Sequence, residues 1–166
     1  PVMSSKEINE VTKVLKSGWL TSGPKTKKLE EIIENKIKTK NTIAVNSATS
    51  GIFITLVALG AKKGDEVITP SNTYISTINS LYNLGLKIIF CDINLISGNV
   101  DVENFKKKIT QKTKFFIPVH NGGNPLDMEQ LIAISKRSKI IDKIIDALFK
   151  IQGGYALTFL INKKLI

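Results

Sequence analysis

The run Asn46-Ser47-Ala48-Thr49-Ser50-Gly51 holds the densest chemical content in this sequence. It is small, rich in hydroxyls and set directly ahead of an apolar helical pattern. A helix start offers free backbone N–H groups and the positive end of the helix dipole, so an anion such as a phosphate would be held there. The same residues also suit an ordinary helix cap, because Ser and Thr side chains accept from first-turn N–H groups. No Gly-Lys-Ser/Thr follows and no GxGxxG occurs, so neither a P-loop nor a dinucleotide fingerprint is present.

Four other residues could carry chemistry. Tyr74 follows a short apolar run and opens a helical pattern; its ring would either stack on a flat ligand or pack over a sheet edge. Asp146 closes the apolar run Ile140 to Ile145, where a carboxylate would hold a protonated ring nitrogen or cap a helix. His120 ends another run ahead of Asn121-Gly122-Gly123-Asn124. With no second His or Cys cluster at metal-ligand spacing, it reads as a hydrogen-bonded structural residue. Cys91 follows a buried-strand pattern and reads as a small core filler.

The elements that must position these residues alternate along the chain. Ser4 with Glu7 is a capping box ahead of the stripe Ile8, Val11, Leu15, and Gly18 is the matching stop. Pro24 starts a second helix whose stripe is Leu29, Ile32, Ile33 and Ile37. Strands are then expected at Thr42 to Val45, Glu66 to Thr69, Lys87 to Phe90, Lys114 to Val119 and Ile140 to Ile145. Helices are expected from the Asn46 turn to Leu59, through Ile75 to Tyr82, over Val102 to Lys108, and over Met128 to Arg137 behind an Asp127 cap. Such alternation predicts an α/β fold with three layers and a mostly parallel sheet. Ligands of such sheets bind at the carboxyl ends of the strands. The loops after Val45, Thr69, Val119 and Ile145 are therefore the places for chemistry.

Composition narrows the classes. At 166 residues and 42% hydrophobic content, with Ile, Val, Leu and Phe recurring in ordered periods, the chain is not a disordered one. The longest apolar stretch, Ile52 to Ala61, stops at Lys62-Lys63, too short for a membrane span. No apolar block follows a basic start in Pro1 to Gly18, so no signal peptide is expected, and the lone Cys91 fits a reducing cytoplasm. The formal charge of +10 comes from 24 Lys and Arg against 14 Asp and Glu, and Arg137 is the one arginine. Scattered lysines without Arg forks or interleaved aromatics read as solvated faces rather than a nucleic-acid surface.

Read in order, these segments resemble the DegT/DnrJ/StrS-type aminotransferases. The matching stretches are Leu15-Lys16-Ser17-Gly18-Trp19-Leu20-Thr21-Ser22-Gly23-Pro24, Val45-Asn46-Ser47-Ala48-Thr49-Ser50-Gly51, Ala58-Leu59-Gly60 and Lys63-Gly64-Asp65-Glu66-Val67-Ile68-Thr69-Pro70. They continue with Thr73-Tyr74, Ile117-Pro118-Val119-His120, Gly123-Asn124-Pro125 and Asp127-Met128. The resemblance implies the large domain of a fold-type I transferase dependent on pyridoxal 5'-phosphate (PLP). It implies amino transfer, with glutamate as donor, to a nucleotide-linked keto sugar in polysaccharide or cell-surface sugar biosynthesis. It also implies a homodimer. Carried over by position, Ala48 and Thr49 resemble the phosphate-cradling pair, Tyr74 the residue stacked on the PLP ring, and Asp146 the acid facing the pyridine nitrogen. The Trp19 to Pro24 loop resembles a segment near the family's substrate entrance.

Departures from the family pattern are as informative. The family's Asp is normally preceded by an acidic residue and followed by Ala-Ala-His or a close variant, whereas here the run is Ile145-Asp146-Ala147-Leu148-Phe149. Asp142 is a competitor for the same role, placed mid-strand. Residues 1–149 are expected to form a partial large domain and residues 150–166 a divergent tail, with the small domain absent. The Schiff-base lysine is expected beyond Ile166, since Lys163 and Lys164 lie in the unrelated tail. The chain alone is then expected to be inactive, and a non-catalytic phosphate-, PLP- or sugar-nucleotide-binding remnant is the alternative.

Overall fold

Helix boundaries fall where capping chemistry puts them. The computed structural model describes residues 3–138, 143–144, 146–147 and 159–160. Helix α1 (Ser5–Ser17) starts at the Ser4–Glu7 capping box and ends at Gly18, which sits in the left-handed region at φ 71° where a side chain would be strained. Helix α2 (Pro24–Ile37) opens on Pro24, whose missing N–H has no partner to lose at that position. Further along lie α3 (Ala48–Ala58), α4 (Ile75–Asn83), α5 (Val102–Lys108) and α6 (Met128–Ser138). Asp127 caps α6 by accepting from the Gln130 N–H at 3.0 Å.

Strands β1 (Glu66–Pro70), β2 (Lys87–Cys91), β3 (Thr113–Phe116) and β4 (Lys143–Ile144) form one sheet in the order β2-β1-β3-β4. Every pairing in it is parallel. The β1–β3 register shifts by one residue, with Thr113 opposite Glu66 but Phe115 opposite Val67. Two further short strands, β5 (Asp146–Ala147) and β6 (Phe159–Leu160), pair antiparallel to each other in a separate ladder.

Period-two alternation splits the core into two layers around the sheet. Val67 and Phe115 pack with Ile52 and Leu56 of α3 and Leu81 of α4 on one face. Their chain neighbours Ile68 and Phe116 pack with Phe105 of α5 and Leu131 of α6 on the other. The Phe105 and Phe116 rings meet at 4.2 Å between centroids, tilted by 34°. The three-layer α/β architecture is as the alternation predicts. Central β1 is buried along its whole length, as a strand covered by helices on both faces must be. At its amino end, buried Glu66 accepts from Lys87 Nζ at 2.9 Å and from the Thr110 hydroxyl, tying β1 to β2 and to the turn before β3.

Three expectations differ from what is found. Thr42 to Val45 joins no ladder among the described residues; the Thr42 and Ala44 N–H groups donate instead to the Glu34 and Glu30 carboxylates of α2, both at 2.8 Å. Two acidic side chains thus take the place of a neighbouring strand. Strand β3 stops at Phe116 because Pro118 has no N–H to donate, although Ile117 still donates to the Ile68 carbonyl at 2.9 Å. Of Ile140 to Ile145 only Lys143–Ile144 is described as strand; positions 140–142, Asp142 included, and 145 lie outside the described residues. So do the positions from Leu148 to Thr158 and the tail lysines.

Candidate functional site

A parallel sheet puts every carboxyl end on one edge, and strand order says where on that edge a cleft opens. From β1 the chain passes through α4 to β2, on one side; from β3 it passes through α6 to β4, on the other. Connections leaving two neighbouring strands in opposite directions open a crevice at their carboxyl ends. At that junction buried Thr69 donates its hydroxyl to the Ile117 carbonyl at 3.1 Å, locking the ends of β1 and β3 together.

The Asn46 to Gly51 turn is a capped helix start, as one of its two readings expects. Ser47 is the N-cap of α3 in extended conformation, and its Oγ accepts from the Ser50 N–H at 3.1 Å. The first intrahelical bond runs from the Gly51 N–H to the Ser47 carbonyl at 3.1 Å. The N–H groups of Ala48 and Thr49 precede that bond and are the orphan donors of the helix start. No acidic residue occupies the first turn to compete with an incoming anion. Thr49 is exposed. Ser80 of α4 donates to the Thr49 carbonyl at 3.2 Å and to the Ser76 carbonyl at 2.9 Å, so α4 is pinned to the start of α3.

Tyr74 is the N-cap of α4, four residues past the end of β1, and is 69% exposed. No core contact consumes its ring, as packing over the sheet edge would require. Asp146 lies two residues beyond β4, with its backbone paired to Leu160; its side chain is outside the described residues. Sequence-marked Ala48, Thr49 and Tyr74 are therefore carried by two helices in direct contact, and Asp146 follows the carboxyl end of a strand in the same sheet.

His120 is buried, and its Nδ1 accepts from the Leu126 N–H at 3.0 Å, the structural role its isolation in the sequence predicts. Cys91 is buried too, and desolvation first of all pushes its thiol up to about 12, so it stays protonated and inert. Reading the sequence missed Asn99. It is 6% exposed and bonds the backbone of the loop after β3 at two points: Oδ1 accepts from the Asn121 N–H at 2.9 Å and Nδ2 donates to the Asn124 carbonyl at 3.1 Å. Nothing marks Asn99 in a sequence full of asparagines, because its partners lie more than twenty residues away.

The profile of the DegT/DnrJ/EryC1/StrS aminotransferase family matches residues 1–147. An uncharacterized protein of Methanocaldococcus jannaschii is 43% identical over 136 residues, which are 82% of this chain and 35% of that protein. A UDP-4-amino-4-deoxy-L-arabinose–oxoglutarate aminotransferase of Shewanella sediminis is 40% identical over 140 residues, 84% of this chain and 36% of its own length. The chain thus spans about a third of the length of the curated relatives it matches. A solved structure described as a sugar aminotransferase of Streptococcus pneumoniae, in its PLP form, superposes at TM-score 0.80 with 34% identity, over 85% of this chain and 36% of that one. NtdA of Bacillus subtilis with bound cofactor PMP superposes at TM-score 0.79 with 30% identity, over 92% of this chain and 40% of that one.

Proposed function

The chain belongs to the DegT/DnrJ/EryC1/StrS aminotransferase family, and from that premise we propose that it carries the cofactor-phosphate and ring-binding part of a PLP-dependent aminotransferase acting on nucleotide-linked keto sugars, with glutamate as amino donor. The observation that carries this reading is the start of α3: two orphan N–H groups, at Ala48 and Thr49, in a first turn free of carboxylates. That donor set fits a phosphate dianion by charge and by hydrogen-bond type. Ala48 and Thr49 would hold the phosphate through their N–H groups, with the Thr49 hydroxyl as an added donor. Tyr74, exposed at the start of α4, would cover one face of the pyridine ring. Asp146 would keep a proton on the ring nitrogen, a role that a carboxylate suits. When bound, PLP supplies the electron sink that transamination needs.

On this reading the lysine that would hold the cofactor covalently has no counterpart in the matching segments. By itself the chain is therefore expected to bind PLP reversibly without amino transfer. Titration with PLP followed by borohydride reduction and mass spectrometry tests this. Saturable binding, weakened by Thr49→Ala and leaving no single fixed adduct, is the expected result; one specific lysine adduct together with turnover would overturn the non-catalytic part. Absence of any saturable binding would overturn the cofactor reading itself.

A further inference from the structure

The loop His120 to Leu126 leaves β3 on the carboxyl edge of the sheet, where β3 lies beside β1. It contains a 3₁₀ turn (Asn121–Gly123) with Gly122 and Gly123 both at positive φ, 59° and 82°. Successive glycines in the left-handed region lose more backbone freedom on ordering than other residues, so a loop of this kind needs ties to keep one shape. It has three from two buried side chains. Asn99 takes the Asn121 N–H and gives to the Asn124 carbonyl, and His120 takes the Leu126 N–H. The loop after β2 that carries Asn99 is itself pinned. Asn72, from the loop after β1, donates to the Gly98 carbonyl at 3.4 Å, and Asn124 donates back to the Ser97 carbonyl at 3.4 Å. Gly98 has φ +69°, and a Cβ there would stand 2.2 Å from Asn121 Nδ2, so a side chain at 98 would displace the Asn121 carboxamide.

We propose that Asn99 is a positioning residue for the candidate site: its carboxamide, reaching from the loop after β2, fixes the wall formed by the loop after β3 in the shape that receives the ring side of the cofactor. This rests on the PLP reading above. An amide suits the task because it is donor and acceptor at once, matching one N–H and one carbonyl of the same loop. Asn99→Ala removes both ties; Asn99→Asp keeps the acceptor for Asn121 but sets an oxygen against the Asn124 carbonyl.

The test follows backbone amide exchange and ligand binding in the full chain. In Asn99→Ala the amides of Asn121, Gly123 and Asn124 should exchange about tenfold faster, the equilibrium worth of roughly one lost buried hydrogen bond, while those of Ile68 and Ile117 keep their protection. Asn99→Asp should restore protection at Asn121 alone. PLP affinity should fall about tenfold in Asn99→Ala, whereas affinity for inorganic phosphate, which touches only the α3 turn, should not change. Unchanged exchange in the loop, or PLP and phosphate affinities falling together with core protection, overturns the positioning role. Failure of the unsubstituted chain to bind PLP instead removes the cofactor reading, and the ligand half of this inference with it.

Discussion

Helices α1 and α3 invite the same expectation from their apolar residues and meet opposite fates. On α3, Ile52 and Leu56 are wholly buried against β1 and β3. On α1, Ile8, Val11 and Leu15 recur at helical spacing yet stay 56%, 55% and 61% exposed, and α2 buries no residue either. The difference lies in what each helix is offered. Sheet faces give α3, α4, α5 and α6 a broad apolar surface, whereas the described residues offer α1 none. Local devices hold α1: the capping box, the Gly18 stop and the ion pairs of Glu10 with Lys13 and with Lys25. Those two ammonium partners hold the Glu10 carboxyl down to about 2, but exposed pairs of this kind add little to stability. An apolar stripe says that a helix can pack; only a partner surface says where.

Five measurements would break or sharpen that contrast. The largest effect belongs to the sheet-covering layer. Phe105→Ala empties a fully buried site against Phe116 and should cost about 3–5 kcal/mol in denaturant unfolding; a loss below about 1 kcal/mol would mean that the α5 layer is not part of the cooperative core. Next comes the amino end of the sheet. Glu66→Ala removes the two bonds that tie β1 to Lys87 and to the Thr110 hydroxyl and should cost about 1–3 kcal/mol.

The Glu66 carboxyl is held below its ordinary value of 4.5, first by the Thr110 hydroxyl and then by Lys87. Its stabilisation is therefore complete above about 4.5, the unfolded value, and disappears as pH falls through the lower folded value. The unsubstituted chain should lose stability more steeply below that pH than Glu66→Gln does; parallel acid profiles would remove Glu66 from the account.

A smaller effect is expected at the turn that serves both cap and site. Ser47→Ala should cost about 1 kcal/mol by loss of the N-cap, with weaker inorganic phosphate binding measured by calorimetry, because the first turn of α3 then frays. The smallest belongs to the N-terminal helices. Ile8→Ser or Val11→Ser should change unfolding free energy by less than about 0.5 kcal/mol. A larger loss would show that this face is covered in solution and that the contrast with α3 is one of partners still to be found.

Much of this molecule was legible in the residues because the interactions that set it are short-ranged. The Ser4–Glu7 box, the Pro24 start, the Asp127 cap and the Gly18 stop all act within about one helical turn, and all appear where the spacing predicts. The same holds for the two-faced strands, since Val67/Ile68 and Phe115/Phe116 follow directly from the pleat. It holds for the start of α3 as well, where Ser47 caps the helix as its position expects.

Tertiary structure alone decided the rest. Thr42 to Val45 has a strand's composition but bonds to Glu30 and Glu34, because a ladder needs a neighbouring strand and a residue's own propensity cannot supply one. Amphipathic α1 and α2 stay open because burial depends on the surface opposite. Asn99 is invisible among similar asparagines until the fold brings it to Asn121 and Asn124, 22 and 25 residues along the chain. The sequence by itself determined where the elements begin and end and which faces they present. Which faces meet, and which side chains reach across loops to hold the crevice, rests on contacts that exist only once the chain has closed on itself.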